Sequence, residues 1–236
     1  VGFVRRCGPE TIELRKRILQ GEIGRIRMAY LNLSQDYPKY RPDYHVIYYA
    51  RPEMGGGCIL DAASHAIDLL LWILGDVAEV AAMYEHLALD GVEVEDCCLI
   101  ALRFRNGVLA HIAMNQFQKP NAALIEFIGE TGNLMLDQSV LKLARDDSGR
   151  WESEDFMKSR TPMEAHEARF ALQANAMLDL LEGKPSSRHV GRSRAGTPRG
   201  VGGQAGGKGK TDCDSGVNHG VMAGETGDRI PRLPFR

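Results

Sequence analysis

The chain has little that would send it to a membrane, to nucleic acid or into a disulfide framework. Its longest apolar run, Ala66–Leu74, is interrupted by Asp68, well short of the roughly 18 consecutive apolar residues of a span. Neither sign of charge is in excess: 29 Lys and Arg face 31 Asp and Glu, a net charge of −2. That balance gives no global attraction to nucleic acid or an anionic lipid surface, so neither is expected as a partner. The cysteines Cys7, Cys58, Cys97, Cys98 and Cys213 are odd in number and form no CxxC pair. They read as reduced thiols of a cytoplasmic protein, without the spacing of a zinc site. No G-x-G-x-x-G fingerprint occurs, so no dinucleotide-binding unit is visible. "VGFVRRCGPE" has neither an initiator Met nor the apolar core of a signal peptide, and the chain is expected to be cut from a longer protein.

What is present divides into a patterned body and an unpatterned tail. "VGFVRR" reads as a short strand, and Pro9 opens a helix with Ile12, Leu14, Ile18 and Leu19 on one stripe. Arg25–Ser34 reads as a strand burying Ile26, Met28 and Tyr30, with Leu31 and Leu33 as further apolar positions. A long irregular loop, "QDYPKYRPDYHVIYYARPEMGGG", follows with five Tyr, and long loops in compact domains are often functional. From Val77 the period changes to two. Six strand candidates follow, separated by turns at Asp90-Gly91, Asn106-Gly107 and Thr131-Gly132, an antiparallel meander. Thr161, Pro162 and Glu164 then form a capping box for a helix of about 20 residues.

The Gly-rich residues 185–236 hold no apolar period, and disorder is expected there. "GGQAGGKG" in that tail mimics a phosphate loop, but no strand precedes it and no helix follows, so the match carries no function.

The chemistry concentrates in "MGGGCILDAASHAIDLLLWILGD", Met54 to Asp76. On a wheel of about 100° per residue, Asp61, His65, Asp68 and Trp72 share an arc of about 60°. The rest of the helix is apolar, and Gly57–Gly75 contains no Lys or Glu. A solvent-facing stripe would be broader and charged. The stripe fits either a structural buried His satisfied by an Asp or the wall of a pocket. In the pocket reading His65 exchanges a proton while Asp61 orients the ring and keeps its pKa near working pH. The three glycines would let a loop pass close to another molecule.

These residues resemble the Gfo/Idh/MocA family of NAD(P)-dependent oxidoreductases. "GGGCILDAASHAIDLLLWILG" fits the family's G-G-x-x-x-x-D-x-x-x-H-x-x-D-x-x-x-W-x-x-G. "VGFVRRCGPE" is similar to its first strand after the crossover, "ILQGEIGRI" to a helix-to-strand turn, and "IEFIGETGNLMLD" to a late Gly-x-x-Gly hairpin. The resemblance implies an α+β fold for residues 1–184: an open, mostly antiparallel β-sheet with helices packed on one face. In the family a Rossmann domain precedes this substrate domain and binds NAD or NADP. That domain and its Glu-Lys-Pro motif are missing from these 236 residues, and the tail replaces the family's closing segment, as a shifted reading frame would produce.

By resemblance, His65 is the acid/base and Asp61 its partner in hydride transfer at a sugar or cyclic polyol carbon. Asp68 and, from the Tyr-rich loop, Arg41, Tyr44 and Tyr48 are the expected substrate contacts. Taken alone, the chain is expected to be inactive. The sheet is expected to form a homo-oligomer, with Leu99, Ala101, Ile112 and Met114 serving an interface or the core. Two rivals stand beside this reading: a non-catalytic sugar-binding or regulatory module, and a metal-dependent hydrolase using Asp61, His65, Asp68 and His111. His45, His86, His166, His189 and His219 have no argued role. Gln116, Gln118, Lys119 and Asn121 lie where a strand end could face the pocket.

Overall fold

The computed structural model describes residues 2–145, 149–157 and 161–184. Its centre is an eight-stranded sheet built from β1 (Ile26–Asn32), β2 (Val77–Glu85), β3 (Cys97–Phe104), β4 (Leu109–Asn115), β5 (Leu124–Gly129), β6 (Asn133–Asp137), β7 (Val140–Ala144) and β8 (Glu152–Asp155). The strand order is β2-β3-β4-β1-β5-β6-β7-β8. Every pairing is antiparallel except β1 with β4, which is parallel. Four α-helices accompany it among the described residues: α1 (Pro9–Leu19), the short α2 (Tyr37–Tyr40), α3 (Ser64–Leu74) and α4 (Pro162–Leu181). The class is α+β, as expected.

Period-two patterning explains the layers. On β3 and β4, Cys98, Ile100, Leu102, Phe104, Ala110, Ile112 and Met114 are buried, while Leu99, Ala101 and His111 face the other way and are exposed. The buried row meets Leu14 of α1 and Ala66, Leu69 and Leu70 of α3 in one core. Ile112 and Met114 therefore belong to the core, whereas Leu99 and Ala101 lie on the open face. The Asn106-Gly107 turn joins β3 to β4, and Asn106 Nδ2 donates to the Leu74 carbonyl at 3.0 Å, closing the end of α3. Helix α4 starts as expected, with both halves of its capping box formed between Thr161 and Glu164.

Five expectations change. Val4–Cys7 is a 3₁₀ turn and not a strand: Val4 and Cys7, three apart, are the buried pair, which is a helical spacing. On β1 the buried residues are Ala29 and Leu31, with Leu33 just beyond, while Met28 turns to the open face. A register shift between Ile26 and Met28 breaks the alternation on which the expected face depended. The meander is interrupted, since β1 is inserted between β4 and β5. Strand β8, Glu152–Asp155, carries no apolar residue, so no hydrophobic period announces it. Finally, Pro52–Leu74 is long and apolar enough to cross a membrane by length and mean hydropathy, 1.6. Half of that window is buried inside the protein, as in a core helix. The expected disorder of 185–236 and the phosphate-loop mimic lie outside the described residues.

Candidate functional site

The polar stripe is positioned from below by glycines and a remote carboxylate. A Cβ on Gly56 would lie 2.1 Å from the Tyr49 carbonyl oxygen, and one on Gly57 would lie 2.5 Å from the Glu95 carboxylate. The close approach the glycines permit is thus to their own chain. Glu95 takes up two orphan donors where the helix begins. Its backbone carbonyl accepts from Cys58 N at 2.9 Å and its Oε1 accepts from Ile59 N at 3.0 Å. Nothing local announces that cap, because Glu95 is 36 residues downstream of Ile59.

The helix then opens with a π turn, Ile59–Ala63, before α3. A π turn advances fewer degrees per residue than an α turn, so His65 falls nearer the line of Asp61 than a uniform α wheel places it. Such turns recur at functional sites.

Each titratable group on the stripe has a different environment. Asp61 is half-buried, and its Oδ1 accepts a short hydrogen bond from the Tyr48 hydroxyl. Asp68 is buried and fully engaged: Arg6 Nε donates to Oδ2 at 2.6 Å, and Arg6 Nη2 donates to Oδ1. His65 is half-buried, and its Nδ1 is a buried atom with no hydrogen-bond partner among the described residues. The Phe3 ring meets it edge-on at 5.7 Å. Burial pushes the His65 pKa below its usual value and the Arg5 charge adds to that shift; Asp61 and Asp68 oppose it without prevailing. The expectation that Asp61 would hold the ring's pKa near working pH is therefore corrected, since desolvation outweighs the carboxylate. Asp61 acts on the imidazole through charge.

The Tyr-rich loop closes one side. Tyr37 and Tyr49 are buried, 4.5 Å apart, in a small second core with Leu89, Val92 and Val94. Burial and the bond to Asp61 raise the Tyr48 pKa, so its hydroxyl stays a donor. Tyr44 donates its hydroxyl to the Asp90 carbonyl at 2.9 Å. Arg41 is exposed, and its charge acts on Tyr37 and Tyr48. The structure thus brings Tyr48, Asp61, His65 and Arg41 around one place, while Asp68 and Tyr44 are engaged at its edge. Gln116 is buried and accepts from Gln35 Nε2 at 2.9 Å, and Asn121 Nδ2 donates to Tyr40 at 2.8 Å. Both pin the loop from the sheet.

His111 does not join them. It lies on the open face of the sheet, 4.8 Å from the Tyr30 ring, and among the described residues no three His, Cys, Asp or Glu could share a metal. The ligand set of a metal hydrolase does not converge. Cys58, Cys97 and Cys98 are free thiols.

Residues 11–135, just over half of the chain, match the GFO/IDH/MocA C-terminal domain. The chain belongs to the GFO/IDH/MocA family. It is 36% identical over 98 residues to the 1,5-anhydro-D-fructose reductase of Ensifer adhaerens, covering 41% of this chain and 28% of that enzyme. It is 28% identical over 115 residues to inositol 2-dehydrogenase 2 of Saccharopolyspora erythraea, covering 48% of this chain and 30% of the other. The chain thus spans less than a third of the curated relatives it matches. Among solved structures, levoglucosan dehydrogenase in complex with NADH and levoglucosan superposes with a TM-score of 0.64 at 21% identity, over 79% of this chain and 58% of that one. The WlbA dehydrogenase of Bordetella pertussis, in complex with NADH and UDP-GlcNAcA, gives a TM-score of 0.56 at 26% identity, over 78% and 54%. These two curated relatives are sugar and inositol oxidoreductases, and both of these solved structures hold NADH.

The described residues do not fit the dinucleotide itself. No glycine-rich strand-to-helix turn occurs among them to receive its phosphates.

Proposed function

We propose that this chain is the substrate half of an enzyme that moves a hydride between NAD or NADP and a hydroxyl-bearing carbon of a sugar or cyclic polyol. The nicotinamide, held by a separate dinucleotide-binding domain, supplies the hydride acceptor. Residues 1–184 form the substrate domain.

The observation that carries this reading is His65: a half-buried imidazole whose pKa burial depresses, with a carboxylate one turn away and no hydrogen bond on Nδ1. A neutral imidazole is a competent base at neutral pH. With Nδ1 sealed in, Nε2 is the nitrogen that meets the substrate hydroxyl and accepts its proton as the carbinol is oxidised. The reverse transfer protonates the alkoxide on reduction. Asp61 lies close enough for its charge to favour the imidazolium that forms, and Tyr48 holds Asp61 in place. Arg41 offers donors to the remaining sugar hydroxyls, and the Tyr48 oxygen, its proton given to Asp61, can accept from one. Asp68 and Tyr44 shape the pocket through Arg6 and the Asp90 turn.

In the full-length protein, His65→Ala should lower kcat by about 10²-fold or more while the fold, followed by circular dichroism, is kept. Turnover within a few-fold of wild type would dispose of the proton-transfer role. A full-length protein with no NAD(P)-linked turnover on any sugar or polyol that it binds would favour the second reading, a sugar-binding module without redox chemistry.

A further inference from the structure

Two loops that share one small core hold the start of the polar stripe. Tyr48 reaches Asp61 from the Tyr-rich loop. The other hold comes from the connection between β2 and β3. There Asp96 is fully buried and accepts from the backbone N of Leu87, Ala88 and Leu89 at 2.9, 2.7 and 2.8 Å. Those three bonds close the connection on itself. Leu89, Val92 and Val94 then pack with Tyr37 and Tyr49. Glu95, between Val94 and Asp96, is fixed on both sides.

The Glu95 carboxylate ends against Gly57, where a Cβ would lie 2.5 Å from both of its oxygens, and it accepts from Ile59 N at 3.0 Å. In an α turn that N–H would go to the Gly55 carbonyl, four residues back. Its capture by Glu95 lets the helix open in a different register. Ser64 N donates to the Ile59 carbonyl, five residues back, while Asp61 N donates to the Gly57 carbonyl at 3.0 Å. A π turn of this kind is rare and recurs at functional sites. A helix start kept for the fold alone is ordinarily capped by its own Ser, Thr, Asp or Asn. Cys58 makes no such side-chain bond here.

The register decides where Asp61 stands. Asp61 lies inside the π turn and His65 follows it. Closing the turn to α register would rotate Asp61 off the line of His65, to about 40° on the helix wheel. The charges that act on the imidazole are Asp61 and Asp68 of its own helix and Arg5 of the Val4–Cys7 turn. Arg6 holds Asp68 independently. Asp61 is therefore the charge whose place depends on the π turn.

We propose that Glu95 is a positioning residue for the proton transfer: its carboxylate holds the Ile59 N–H, keeps the helix in π register and so sets Asp61 beside His65. The inference rests on His65 as the proton-transfer group. What the geometry asks of Glu95 is reach, and the charge is secondary.

The test follows the His65 ring resonances of the 236-residue chain against pH. Asp61→Asn sets the yardstick, because it removes a charge that raises the His65 pKa. Glu95→Asp keeps the charge but draws the oxygens back by one methylene, and should lower the His65 pKa toward the Asp61→Asn value. Glu95→Gln keeps the reach and loses the charge, and should stay near wild type. In an Asp61→Asn background, Glu95→Asp should move the titration no further. In the full-length protein Glu95→Asp should cut kcat by about tenfold with KM little changed, and Glu95→Gln should recover most of that loss. The wild-type Ile59 amide should be protected from hydrogen exchange, a readout that stands even where Glu95→Asp does not fold. A His65 titration unmoved by Glu95→Asp, one moved as far by Glu95→Gln, a shift that persists in the Asp61→Asn background, or an unprotected Ile59 amide would overturn the proposal. Failure of the oxidoreductase reading is a separate result: no NAD(P)-linked turnover by the full-length protein although the His65 titration responds to Glu95→Asp as described.

Discussion

Removing the Asp68 carboxylate should destabilise this domain by about 3 kcal/mol, and the loss should not add to that of its partner. An exposed ion pair contributes about 0–1 kcal/mol. Breaking a buried one by deleting one member costs about 3–5 kcal/mol, because the surviving charge is left in low dielectric. The side chains of Arg6 and Asp68 are 15% and 7% exposed, close to the buried limit. Arg6 keeps some access to water and a longer contact to the Asp68 carbonyl at 3.5 Å, which puts Asp68→Ala near the lower end of that range. Arg6→Ala should be of similar size, since it strands the carboxylate. The double variant strands neither, so it should fall short of the sum by about 2 kcal/mol, within the range for contacting residues. Urea unfolding of the chain, followed by Trp72 fluorescence, measures all three. The exposed pair Arg103–Glu79, at 52% and 70%, serves as control and should change stability by less than about 0.5 kcal/mol. A domain as stable as wild type after Asp68→Ala, or strict additivity, would refute the reasoning. Either result would return Asp68 to the pocket as a free carboxylate kept for a ligand.

Two further outcomes follow from the geometry. His65 has a folded-state pKa below the ordinary 6.5, so the unfolded chain takes up a proton that the folded one refuses. Stability should therefore rise with pH from the folded value to about 6.5 and level off above it. His65→Gln should flatten that slope in urea midpoints measured between about pH 5 and 7.5, and parallel curves for the two proteins would count against the depressed pKa. The open face of the sheet exposes Met83 at 75% and Leu99 at 58%, with Leu109 and Met28 beside them, a patch of the kind that mediates association. We propose that it pairs with a second copy of the chain. Leu99→Arg should convert a sedimenting oligomer to a monomer, and a wild-type chain that sediments as a monomer at tens of micromolar would remove the proposal.

What was legible in the sequence is what period and punctuation encode. Alternation on β3 and β4, the Asn106-Gly107 turn and the Thr161 capping box each act through neighbours, and each forms as read. The failures are long-range. The bulge in β1 shifts its buried face by one residue because pairing with β5 sets the register. Strand β8 is recruited by the edge of β7 and needs no apolar side chain. In the candidate site, Asp61, His65 and Tyr48 could be named from local pattern. The π turn could not, because its N-terminal donors are held by Glu95 from across the fold. Arg6 and Arg5 were hidden inside a segment read as a strand, where their side chains would have pointed apart.

The partners of the stripe bear on why a helix this apolar carries three titratable groups. Buried polar groups kept for the fold alone are satisfied by it. Asp68 meets that description through Arg6, and Asp61 meets it through Tyr48. His65 does not. Its Nδ1 is buried without a hydrogen bond, a cost of about 1–3 kcal/mol for a group of that kind, and Phe3 offers it only an aromatic edge. A leucine at position 65 would pack on Phe3 without that cost. The two aspartates and the π turn thus read as supports, each fixed by a residue remote in sequence. The imidazole is the member of the stripe that the described residues leave without a hydrogen bond, which is what the proposed proton transfer at its other nitrogen uses.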